Sequence, residues 1–225
     1  PFNSDEVMYG TGATIYSTQN MTKIGTEPVT ISFDAYGLEE TAVFKMLAPP
    51  SKDDSPQLYS IMGDLTGFAH KDVTQCPDDA HFMKNGKPTD LDVAFQNPNT
   101  AVYLSEEKTT TINFTQDGGA TWETVKHKPD PATGGQVAMS ADGSSTIWVP
   151  NSISGKPYVT TDLGKTWYYV EGLGFNAKIA ADRVNPKVFY ATCDGLFYVS
   201  RDGGVTFEST GQHGSFCLNL FCQFR

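Results

Sequence analysis

The chain has 225 residues, with 26 Asp and Glu against 16 Lys and Arg and a formal net charge of −10. An acidic surface argues against nucleic acid and anionic membrane as partners, and no stretch approaches the ~18 consecutive apolar residues of a membrane-spanning helix. Aromatic residues at 12%, charged residues at 19%, and 21 Gly with 13 Pro describe an ordered, turn-rich, all-β chain.

In chain order, the first element is Val7-Met8-Tyr9-Gly10-Thr11-Gly12-Ala13-Thr14-Ile15-Tyr16-Ser17-Thr18, which reads as strand, turn, strand. Residues 34–72 are not repetitive. They hold Gly37-Leu38-Glu39-Glu40-Thr41-Ala42-Val43, then Pro49-Pro50, then Leu58-Tyr59-Ser60-Ile61-Met62-Gly63-Asp64-Leu65-Thr66-Gly67-Phe68-Ala69-His70. An Asp between two glycine-bearing turns after an apolar strand is either a turn-former or a carboxyl presented at a strand end facing a cleft. Nearby, Tyr59 and Phe68 offer faces on which a sugar ring could stack, and His70 offers a hydrogen bond; core packing is the alternative for each. Glu39 and Glu40 are adjacent, so on a strand they point to opposite faces and at most one enters any one site.

From residue 95 the chain repeats itself. Thr115-Gln116-Asp117-Gly118-Gly119-Ala120-Thr121-Trp122, Thr160-Thr161-Asp162-Leu163-Gly164-Lys165-Thr166-Trp167 and Ser200-Arg201-Asp202-Gly203-Gly204-Val205-Thr206-Phe207 share one form, Ser/Thr-x-Asp-x-Gly-x-Thr-aromatic. The aspartates are 45 and 40 residues apart. The word is a hairpin turn: Asp accepts backbone N–H groups, Gly supplies positive φ, and the aromatic starts the next strand. Asp117, Asp162 and Asp202 are therefore architectural, and Trp122 and Trp167 with them; Trp148, in Ile147-Trp148-Val149, is a core residue. Asn97-Pro98 and Asn185-Pro186 each mark a turn into a short apolar strand ahead of a box. A period of 40–45 with several short strands is the signature of a β-propeller blade. The expected organisation is blades with long loops over residues 1–94, Asp-box blades over 95–208 and an atypical tail over 209–225, about four to five blades in all.

Four cysteines, Cys76, Cys193, Cys217 and Cys222, show no metal-ligand spacing. They predict one or two disulfides, in any of three full pairings, and neither metal nor other cofactor. The sequons at Asn20 and Asn113 are compatible with the same conclusion, a secreted, extracellular protein. With Pro1 in place of an initiator Met, the chain reads as a processed form or a fragment.

The chain resembles glycoside hydrolase family 74, the xyloglucanases and related oligoxyloglucan-acting enzymes. The resemblance covers roughly residues 1–208 and rests on Tyr9-Gly10-Thr11-Gly12, Gly37-Leu38-Glu39-Glu40-Thr41-Ala42-Val43, Ser60-Ile61-Met62-Gly63-Asp64-Leu65-Thr66-Gly67-Phe68 and the boxes. It implies two seven-bladed propellers flanking an open cleft, and inverting hydrolysis of the β-1,4-glucan backbone of xyloglucan. It places Asp64 as the general acid, in the second propeller; Phe68 and His70 beside it stay candidates for substrate binding on their own chemistry, with core packing as the alternative. The family's general base belongs to a Tyr-x-Arg-Thr-Asp-x-Gly-Gly type stretch of the first propeller, which these 225 residues do not contain. The expectation is thus part of a second propeller, inactive alone, whose partners are xyloglucan or oligoxyloglucan and the N-terminal propeller of a parent enzyme.

Two other classes are open to the same sequence. A non-catalytic secreted propeller that binds carbohydrate or protein would need the fold without the acid. A sialidase shares the boxes but must clamp a carboxylate with several arginines. Here the arginines are Arg183, Arg201 and Arg225 alone, one of them in a box turn and one at the last position.

Overall fold

The computed structural model describes residues 2–12, 14–36, 41–50, 52, 54–63, 66–75, 77, 86–106, 108–129, 134–152 and 155–213. Among them are 18 strands in five antiparallel sheets and one short 3-10 helix, Met21–Lys23. The chain divides into two compact units, Pro1–Ala42 and Val43–Arg225.

The first unit holds one three-stranded sheet of β1 (Val7–Gly10), β2 (Ile15–Thr18) and β3 (Ser32–Phe33). Its first hairpin is the strand–turn–strand read in the sequence, closed by the Thr11 amide on the Thr14 carbonyl at 2.8 Å. Tyr9, Tyr16 and Phe33 stand side by side across the three strands, with ring centroids 5.4 and 6.3 Å apart.

The second unit stacks four sheets in chain order. They are β4–β6 (Val43–Leu47, Leu58–Met62, Gly67–His70), β7–β10 (Lys87–Val93, Ala101–Glu106, Thr110–Thr115, Glu123–Thr124), β11–β14 (Gln136–Met139, Thr146–Val149, Tyr158–Thr160, Tyr168–Tyr169) and β15–β18 (Lys178–Ala181, Phe189–Cys193, Leu196–Ser200, Glu208–His213). Each strand pairs with its chain neighbour, as blades of a propeller do. The β7–β10 sheet straddles residue 94, and residues 208–213 form a strand paired with β17.

Blade packs on blade through side chains of alternate residues. Leu47, Tyr59 and Ile61 meet Leu91, Val93 and Tyr103. Val102, Leu104 and Phe114 meet Val137, Met139 and Trp148, which is fully buried. Ile147, Val149 and Val159 meet Phe189, Ala191 and Phe207. In each case the aromatic of an Asp box closes the seam: Trp122 lies edge-on to Tyr103 at 4.6 Å, Trp167 edge-on to Trp148 at 6.4 Å, and Phe207 is buried in the third cluster.

The box itself is built the same way three times. The Thr160 hydroxyl donates to Asp162 Oδ1 (2.8 Å) and accepts from the Gly164 amide (2.9 Å), while Asp162 accepts the Thr166 amide (2.8 Å) and hydroxyl (2.6 Å). Thr115, Asp117, Gly119 and Thr121 repeat this, as do Ser200, Asp202, Gly204 and Thr206. The second turn glycine of the first box has φ +87, and a Cβ there would stand 2.9 Å from that of Ala69 on the preceding blade. Only glycine allows both that backbone and that approach.

Of the cysteines expected in disulfides, Cys193 is a buried free thiol and the other three lie outside the described residues. Asn113 is fully buried, its amide bonded to Thr124 and Thr111, so this sequon is closed in the folded chain.

Candidate functional site

Antiparallel pairing puts the turns of each blade at two ends. The first-to-second and third-to-fourth turns share one end. The Asn-Pro turns and the Asp boxes are these, and they are bonded together: the Gly118 amide donates to the Asn99 carbonyl and the Gly203 amide to the Lys187 carbonyl, both at 2.9 Å. The second-to-third connection runs at the opposite end. In the first blade of this unit that connection joins β5 to β6 and carries Asp64. Asp64 lies outside the described residues, as do Leu65 and the Gly37–Glu40 stretch. Its neighbours Gly63 and Thr66 are described, and the Met62 amide bonds the Thr66 carbonyl at 3.2 Å.

Phe68 and His70 are the second and fourth residues of β6, so they share a face of the sheet, with rings 5.7 Å apart. Phe68 is the nearer of the two to the β5–β6 connection. His70 Nε2 is 3.0 Å from the hydroxyl of Ser60, itself buried. Burial lowers the His70 imidazole below its ordinary value of 6.5, so the ring is neutral at neutral pH. Ala69, between them, faces the other way into the core seam with Tyr59 and Ile61. Tyr59 is fully buried, and its hydroxyl donates to the Pro98 carbonyl at 2.8 Å. It is an inter-blade strut and not an open stacking face.

A second polar constellation went unread in the sequence. Asp90 and Asp92 stand two apart on β7 and so share a face; they are 9% and 2% exposed. Asp90 accepts the Val137 amide (2.8 Å) and Lys45 Nζ (2.7 Å). Asp92 accepts the Met139 amide (2.7 Å) and Arg183 Nη1 (2.8 Å). Despite its burial, which acts to lower it, the Lys45 ammonium is held above its usual range by the charges of Asp90 and Asp92. These groups line a cavity of about 830 Å³ bordered by β4, β7, β11 and β15. Neither Phe68 nor His70 lines it. The available signal was acid at alternate positions in Asp90-Leu91-Asp92-Val93: two carboxylates on one face of an apolar strand demand partners. Arg183 is committed to Asp92 and stacked 4.5 Å from the Phe95 ring, which removes it from any carboxylate clamp. Among the described residues no group of three or more His, Cys, Asp or Glu could hold a metal.

No protein-family model matches the chain. It is 41% identical over 215 residues to xyloglucanase Xgh74A of Acetivibrio thermocellus, covering 93% of this chain and 25% of that one. It is 32% identical over 238 residues to the oligoxyloglucan-reducing end-specific xyloglucanase of Emericella nidulans, covering 93% and 29%. Among solved structures, the GH74 xyloglucanase of Xanthomonas campestris superposes with a TM-score of 0.73 at 27% identity, over 95% of this chain and 31% of that one. The chain thus spans roughly a quarter of the curated relatives it matches. Sequence and blade architecture agree along nearly its whole length, and on that ground the chain belongs to glycoside hydrolase family 74.

Proposed function

We propose that this chain carries the proton-donating half of a secreted xyloglucan-cleaving glycosidase, with Asp64 as the general acid. The observation that supports it most is the 41% identity with a xyloglucanase over 93% of the chain. The β5–β6 connection lies at the end of the blade free of Asp boxes, away from the turns that serve architecture.

In an inverting mechanism the Asp64 carboxyl gives its proton to the glycosidic oxygen as the bond from C1 to that oxygen breaks. A second carboxylate ~6.5–9.5 Å away takes a proton from the water that attacks C1 from the opposite face. That second group is supplied from outside these 225 residues, by an N-terminal propeller. Phe68 stacks on a sugar of the bound chain and neutral His70 contributes a hydrogen bond. The substrate is xyloglucan or an oligosaccharide of it, as the names of the matched relatives suggest.

Incubation with xyloglucan tests this directly. General acid–base groups contribute ~10²–10⁴-fold each, so release of reducing ends by this chain is expected to fall short of a two-propeller xyloglucanase by at least that factor. Equal turnover would overturn the assignment of the second carboxylate to another propeller. Binding of xyloglucan oligosaccharides that persists in Asp64→Ala, with no hydrolysis even when the N-terminal half is added, would instead identify a non-catalytic binding propeller.

A further inference from the structure

We propose that Asp90 and Asp92 form an axial clamp, and that Asp90 and Lys45 are positioning residues for the sheet that carries Asp64. Three inner strands, β4, β7 and β11, and the turn after β15 contribute to this network, and each inner strand is the edge of its own sheet. β11 is the first strand of its sheet, so the amides of Val137 and Met139 face away from β12 and need acceptors. The Asp90 and Asp92 carboxylates provide them, in matching order along two strands that run side by side. Each carboxylate then holds a second oxygen for a cation from a different blade. Lys45 comes from β4, one blade before, and Arg183 from just after β15, two blades on. The Arg183 guanidinium also donates to the Val93 carbonyl at 3.3 Å.

The consequence is directional. β4 is the inner strand of the β4–β6 sheet, and in the described residues Lys45 is the ion pair that ties it to β7. Lys45 pairs in register with Ile61 on β5, one residue before the end of that strand. A shift of β4 along the axis is therefore passed through two strands to the β5–β6 connection. Neither β11 nor β15 supplies a carboxylate at the matching positions, where Gln136, Ala138, Lys178 and Ala180 stand. The clamp is thus specific to the blade that follows the acid-bearing sheet.

The clamp stands on geometry alone; only its role in positioning rests on Asp64 as the acid. Amide exchange and amide NMR on the intact chain separate the two. In Asp90→Ala, exchange at Val137 is expected to rise about tenfold, as for loss of one charge-assisted hydrogen bond, and in Asp92→Ala the same at Met139. In Lys45→Met the amide signals of Gly63 and Gly67, which flank the β5–β6 connection, shift, and Lys45→Arg restores them. Asp90→Asn, isosteric and able to cap Val137, serves if the alanine variant does not fold; it too shifts Gly63 and Gly67. Unchanged exchange at Val137 and Met139 would overturn the clamp. Spectral change confined to β4, β7 and β11 would overturn the positioning role, whatever the chemistry of Asp64.

Discussion

Two kinds of aspartate differ sharply in this protein. Asp162 lies at the surface, and its carboxyl is held below the usual range chiefly by the Thr166 hydroxyl, then by backbone and Thr160 bonds that outweigh its slight burial. At Asp117 and Asp202 burial is the largest influence and pushes upward, yet the hydrogen bonds win and both also end lowered. Asp92 is buried with a single guanidinium. Asp162→Ala should cost about 1–2 kcal/mol, the worth of a capping side chain. Asp92→Ala should cost about 3–5 kcal/mol, because it strands the Arg183 charge and the Met139 amide; denaturant midpoints rank the two. The same groups set the acid response. For the boxes, unfolded carboxyls take up protons before folded ones, so their stabilisation is complete above about pH 4 and is lost as pH falls through the lowered values. His70 is also lowered, so the unfolded chain gains a proton first and stability begins to decline as pH drops below 6.5. Melting temperatures from pH 7 to pH 2 should show a small early step, absent in His70→Gln, and a larger late one.

At the scale of the element, the boxes were legible because everything that makes them is local. A hydroxyl, a carboxylate, a glycine and a threonine within eight residues close one another's hydrogen bonds, so the word in the sequence is the turn in the fold. The inner strands were not legible, since Asp90 finds its partners 45 and 47 residues away. For the same reason Tyr59 reads as an exposed face but serves as a strut, its acceptor lying in the next blade. Phe68 and His70 share one face of β6, as alternation requires, yet the sequence does not reveal that His70 also meets Ser60. The seams between blades make a prediction of their own. Gly119→Ala adds a methyl where Ala69 already stands and at positive φ, and should destabilise by about 1–3 kcal/mol. Pairing it with Ala69→Gly relieves the contact but not the backbone strain, so the double variant should recover only part of the loss.

For the molecule as a whole, the repeat period foretold the five sheets and the resemblance foretold the family, while the catalytic assignment rests on a single carboxyl. The proposed acid without its base is a chemically specific arrangement, and it can be interrogated as such. Azide, a small anionic nucleophile, can attack C1 where no carboxylate activates water, provided that the leaving oxygen is protonated. The decisive measurement is cleavage of xyloglucan oligosaccharides by this chain with and without azide, in the parent sequence and in Asp64→Asn. Negligible cleavage is expected in buffer, with azide-dependent formation of a glycosyl azide of inverted configuration and loss of that product in Asp64→Asn. Azide-dependent cleavage that survives Asp64→Asn, or no azide product from oligosaccharide shown to be bound, would contradict the proposed role of Asp64.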